Sequence, residues 1–194
     1  FAYYPIWGIS ARLFYLLGGK MSSEDQQEVK DLEYYCRCIR EIKVYTNTKL
    51  GVKCRNQPTL LLSVIHLIAN GTIAENKILI TEDLINVFKK YWSVSSDTSF
   101  KNSDFALPFF HLKNGQKKGK YKFWHLQYSS EYDGGRPQTI PKLRHDVDYA
   151  YLDEEMFQLI INHDYRQKMV DQLITFWFTK EQEILESIFE SYRP

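Results

Sequence analysis

Residues 58–70 read PTLLLSVIHLIAN, and the reading of this stretch decides the fold. Its apolar side chains fall on every side of the helix it would form, so it predicts a buried central helix rather than a surface one. Pro58 suits the first turn, where a missing N–H costs nothing. Gly71 is a natural stop. His66 lies inside the run and reads as a satisfied core residue rather than a ligand.

Working outward, Val29, Leu32, Tyr35, Cys36, Ile39 and Ile42 recur at three- and four-residue steps, which predicts an amphipathic helix from Glu24 to about Tyr45. The polar stretch TNTKLGVKCRNQ then leads into the central helix. On the far side, Thr81-Glu82-Asp83 caps a third helix that ends near Trp92. After the loop SVSSDTSFKNSD come two aromatic segments, LPFFHL (107–112) and YKFWHLQY (121–128), separated by KNGQKKGK. With Asn114-Gly115 as a turn signal they predict a β-hairpin with a long basic tip. A Gly- and Pro-rich loop runs from Ser129 to Lys142, and helices follow from near Asp153, from near Asp164, and after Thr179 as a cap. The pattern predicts a mainly α (α+β) fold: a single compact helical domain over 21–194 with a small β-hairpin.

Composition agrees. Of 194 residues 44% are hydrophobic and 15% aromatic, which excludes disorder, and 9 Gly with 6 Pro exclude a collagen-like chain. Residues 1–20 are apolar, but Pro5 and Arg12 interrupt them and no signal-peptide pattern is present; they read as an extension packed on the domain, not a membrane span. Cys36, Cys38 and Cys54 lack the spacing of a zinc site and read as free thiols, hence a reducing, cytoplasmic setting.

The net charge of +1 conceals an asymmetry. From Arg37 to His145 there are 18 Lys/Arg against 8 Asp/Glu, and the rest of the chain has 7 against 16. Between Phe105 and Ser130 no carboxylate occurs, yet Lys113, Lys117, Lys118, Lys120 and Lys122 do. Lysines interleaved with aromatics are the footprint of phosphate-backbone binding; the alternative is a solvated hairpin tip. Two further basic loops, Lys49/Lys53/Arg55 and Arg136/Lys142/Arg144/His145, would complete a basic face if the three converge. The start of the central helix at Gln57–Pro58 would add unpaired N–H groups for a phosphate.

Catalytic patterns are poor. Glu41-Ile42-Lys43 has a nuclease-like spacing but lies on a helix, and His111-Leu112-Lys113 is followed by Lys118 where such a motif needs Asp. The five histidines are scattered, and the acidic clusters Asp153-Glu154-Glu155 and Glu181/Glu183/Glu186 fall near helix starts, where they serve the dipole. No catalytic residue, metal or cofactor is predicted, so this chain reads as a binding domain and not an enzyme.

The ordered segments YYCRCIREIKVYTNTKLGVKCRNQPTLLLSVIHLI, ILITEDLINVFKKYW, LPFFHL, FWHL and YLDEEMFQLI, spanning about residues 30–178, resemble one family. It is the sulfur-binding domain at the amino-terminal end of HNH-type, modification-dependent restriction endonucleases. The resemblance implies a mostly helical domain that binds double-stranded DNA carrying a phosphorothioate, a non-bridging phosphate oxygen replaced by sulfur. Cleavage would belong to an HNH domain following Pro194. It also implies a site built from two loops, Arg55-Asn56-Gln57-Pro58 and Leu107-Pro108-Phe109-Phe110-His111. The family's first loop usually reads Pro-His-Lys/Arg-Pro, so the basic side chain here has moved to Arg55; in the second, Leu107 replaces a frequent aromatic.

The chemistry is consistent with these residues. Sulfur is larger and more weakly hydrated than oxygen, so an apolar concavity of Pro58, Leu107, Pro108 and His111 would favour it. Arg55 or Arg144 would answer the charge. Asn56, Gln57, Arg136 and Arg144 could read base edges, and Lys113, Lys117, Lys118 and Lys120 could meet phosphates. Among Phe109, Phe110, Phe123 and Trp124, at least two are predicted to be core. The alternatives are a general DNA-binding domain without sulfur preference and a protein–protein interaction module.

Overall fold

In the computed structural model, which describes residues 30–47, 52–96, 98–114 and 122–191, the central run is the helix α2 (Asn56–Ala69). An α1 helix (Leu32–Arg40) precedes it. Every side chain of α2 from Pro58 to Ile68 is buried, as its all-round apolar sequence predicts. Around it pack α3 (Glu82–Ser95), α4 (Asn102–His111), α6 (Glu154–Ile161) and α7 (His163–Trp177). A helix α5 (Ile140–Asp146) and a last helix α8 (Gln182–Glu190) complete a mainly α fold with a small β component. No helix among the described residues is long and apolar enough to cross a membrane.

His66 is a core residue. Its Nδ1 lies 2.6 Å from the Tyr91 hydroxyl, its ring meets Phe189 edge-on, and burial, then the Lys90 charge, pushes its pKa down to about 4. Phe109, Phe110, Phe123 and Trp124 are all buried, and the Trp124 Nε1–H donates to the Phe109 carbonyl at 3.0 Å. Cys36 and Cys38 are buried and Cys54 half-buried, all as free thiols.

Helix ends follow local chemistry. Asp31 accepts from the Tyr34 N–H at 2.9 Å, Thr81 from the Leu84 N–H at 3.2 Å, and Asn162 from both Asp164 and Tyr165. Several predicted boundaries move. The first helix begins at Leu32 under the Asp31 cap rather than near Glu24, and stops at Arg40. Within the polar stretch that follows, which Gly51 interrupts in the sequence, Tyr45–Asn47 (β1) pairs antiparallel with Val52–Cys54 (β2), a pairing not predicted from the sequence. Thr179 does not cap the last helix; its hydroxyl donates to the Thr175 carbonyl at 2.8 Å, and Glu181 stands at the cap.

The predicted hairpin of 107–112 with 121–128 is corrected. Leu107–His111 is the second half of α4 and Leu112 opens the 3-10 turn after it, so LPFFHL is not a strand. Counted from Phe105, the apolar positions Phe105, Phe109 and Leu112 repeat at helical steps, and their burial against α2 outweighs the N–H that Pro108 lacks. Asp104 accepts from the Lys101 N–H at 2.8 Å and fixes the start. Trp124–Tyr128 is a strand (β3), but its antiparallel partner is Val147–Leu152 (β4), which also bridges Ile78 through Ala150. Residues Ile140 and Pro141, expected in a loop, begin α5 under a Thr139 cap.

Candidate nucleic-acid interface

The end of α4, β3 and the loop 129–139 bring aromatic and basic side chains together. Tyr128 and Tyr132 stack with centroids 4.3 Å apart and planes 10° from parallel, and Phe110 lies 6.3 Å from each. The Lys113 ammonium sits 3.8 Å from the Phe110 centroid and 4.9 Å from that of Tyr128, and donates to the Tyr128 hydroxyl. His111 is half-buried; burial, then the charges of Arg136 and Lys113, hold its pKa below the ordinary histidine value. The His111 ring meets Phe110 edge-on with centroids 5.3 Å apart, and the Lys113 ammonium lies over that same Phe110 ring.

Arg136 is exposed, and its loop is pinned. The Ser129 hydroxyl donates to the His145 carbonyl at 2.6 Å, and the Ser129 N–H to that of Asp146 at 3.0 Å. The Tyr132 hydroxyl donates to the Gly135 carbonyl at 3.0 Å, while the Gly135 N–H donates to Asp133, which pairs with Lys142. Lys142 also pairs with buried Asp146, and His145 lies between Glu131 and Asp146. The local carboxylates thus have their own cations, and Arg136 has no ion-pair partner among the described residues.

Arg55 is placed elsewhere. It makes a two-pronged pair with Glu181 at 2.8 and 2.9 Å, donates to the carbonyls of Trp177 and Ser95, and lies over the Phe178 ring. All four of its terminal N–H donors are engaged within the fold. Arg144 donates to the Ile80 carbonyl and pairs with Glu82 at 2.6 Å. Ser95 and Glu82 are opposite ends of α3, separated by about 20 Å at 1.5 Å per residue, so Arg55 and Arg144 do not share one phosphate site.

Pro58 and Pro108 are buried, Leu107 and His111 half-buried, and Asn56 and Gln57 half-buried in the first turn of α2. Two surface depressions lie away from these residues. One of about 440 Å³ is lined by Lys77, Leu79, Ile80, Arg144, Val147, Asp148 and Tyr149. The other, about 650 Å³, is formed by residues 179–184 and Glu186. Lys117, Lys118, Lys120 and Lys49 lie outside the described residues.

Sequence reasoning missed Tyr128 as the partner of Lys113 and Tyr132 as the ring stacked on Tyr128. They lie four residues apart across the end of a strand, and no single period links them. Compared with protein-family models and with curated proteins, the chain matches none.

Proposed function

We propose that this chain is the DNA-reading domain of a modification-dependent restriction endonuclease, binding phosphorothioated double-stranded DNA and leaving cleavage to a separate HNH domain. The observation that supports a nucleic-acid reading is Lys113 held against the Phe110 and Tyr128 rings, with exposed Arg136 on the pinned loop that carries Tyr132. Cations answer phosphate charge, and a guanidinium on a pinned loop is ready for a base edge or a phosphate with little ordering cost. Lys117, Lys118 and Lys120 continue the basic sequence from Lys113. The sulfur preference is assigned to Leu107 and His111, which retain partial exposure, because Pro58 and Pro108 are buried in their helices. Free thiols fit a cytoplasmic, reducing setting.

Fluorescence polarisation with matched modified and unmodified duplexes tests the reading. Tighter binding of the modified duplex is expected. Equal affinity sinks the sulfur preference and leaves a general DNA binder, and no binding of either duplex at low salt leaves a protein–protein module. Leu107→Ser is expected to erase most of the preference while leaving affinity for unmodified DNA nearly unchanged.

A further inference from the structure

The outward face of the β3–β4 sheet is a second surface of distinct chemistry. In β4, Val147, Ala150 and Leu152 are buried, and Tyr149 and Tyr151 point the other way. Their register partners on β3 are Gln127 and His125. On the opposite side, Ile78 bridges Ala150 and turns inward, which sets Lys77 and Leu79 on the outward face. Six side chains therefore share this face: His125, Gln127, Tyr149, Tyr151, Lys77 and Leu79. None is acidic.

The rings are held in place. His125 Nε2 lies 2.7 Å from Asp153 Oδ1, and Asp153 is itself held by Lys30 at 2.7 Å and by the Tyr35 hydroxyl at 3.1 Å. The His125 and Tyr151 rings stack at 5.0 Å and 26°, Tyr149 is 6.3 Å from Tyr151, and the Lys77 ammonium stands 4.8 Å from the Tyr149 centroid. Tyr151 is 37% exposed and Leu79 47%. The 440 Å³ depression opens beside Tyr149 and Lys77 and carries Arg144 on its wall. Of the acids at that rim, Glu82 is already paired with Arg144, and Asp148 remains.

We infer that this face is a stacking platform for a single-stranded polynucleotide. An unpaired base offers a π-face that fixed aromatic rings receive at small ordering cost, and its phosphates find the Lys77 ammonium alongside. A duplex keeps its bases stacked on each other, so it does not use such a surface. The platform shares no residue with the interface around Lys113 and Arg136, and it stands or falls independently of the duplex reading.

The test is fluorescence polarisation of the full chain with short labelled oligothymidylate, oligouridylate and a blunt duplex. Saturable single-strand binding is expected. Tyr149→Ala with Tyr151→Ala should weaken it by roughly tenfold or more, and Tyr151→Phe, which keeps the ring, should preserve it. The DNA and RNA strands decide which sugar is preferred, and duplex affinity should not change. Absence of saturable single-strand binding overturns the inference, as does a folded alanine variant that binds like the parent. A parallel fall in duplex affinity also overturns it, because the platform is then part of the duplex site. Should the alanine variant lose its far-UV circular dichroism, Lys77→Glu decides: a clear loss of single-strand binding supports the platform, and unchanged binding overturns it.

Discussion

The guanidinium of Arg55 joins the start of α2 to the cap of α8 through Glu181 and to the ends of α3 and α7 through the carbonyls of Ser95 and Trp177. Arg55→Ala leaves a carboxylate that is only 18% exposed without its cation, and is expected to lower stability by about 2 kcal/mol in urea unfolding. The hydrogen bond from Arg55 holds the Glu181 carboxyl below its ordinary value, against the opposing effect of burial. A depressed folded-state pKa contributes stability that is complete above the unfolded value and is lost as pH falls through the folded one. The difference between Arg55→Ala and the parent should therefore shrink in acid, which unfolding curves across that range will check. His66 works in a related way, since burial keeps it neutral. Its stabilising contribution is full above 6.5 and is lost as pH falls toward about 4, so His66→Gln should flatten the acid limb of the stability profile.

At the scale of elements, capping and burial decide what periodicity leaves open. Asn162 accepts from two N–H groups at the start of α7, and Asn162→Ala should cost about 1 kcal/mol in thermal or urea unfolding. The central helix was legible because no solvent-facing side had to be inferred for it. LPFFHL was not, because a six-residue aromatic run fits a strand as well as a buried helix, and the arbitrating residues Asn102–Asp104 lie upstream of it. The β3–β4 pair was half legible. Residues 121–128 read as a strand, but their partner Val147–Leu152, for which the sequence predicts no strand, lies across α5 and a long loop, and pairing at that distance leaves no mark in either segment.

Across the whole molecule, the charge asymmetry resolves into separate uses of the same residue types. Arg55 and Arg144 are engaged at opposite ends of α3, Lys142 and His145 hold the loop, and Arg136 faces outward. Arg136→Ala is expected to weaken duplex binding several-fold without moving the unfolding midpoint, because no internal ion pair among the described residues depends on it. Alanine at Lys117, Lys118 or Lys120 should weaken modified and unmodified DNA alike, and each phosphate left without its lysine should lower the slope of log affinity against log salt by roughly one. Titrations at several salt concentrations separate the two effects.

What the sequence determined by itself is the mainly helical class, the buried α2, the cap at Thr81 and the basic middle of the chain; these depend on neighbours within one helical turn or on sums over many residues. Tertiary structure alone decided which cations are free, which aromatics meet, and which strand pairs with which. A charge is available only if no partner reaches it, and those partners lie up to 126 residues away along the chain. Ring stacking and strand register depend on such distant neighbours too, so the candidate surfaces emerge only when the folded chain brings them together.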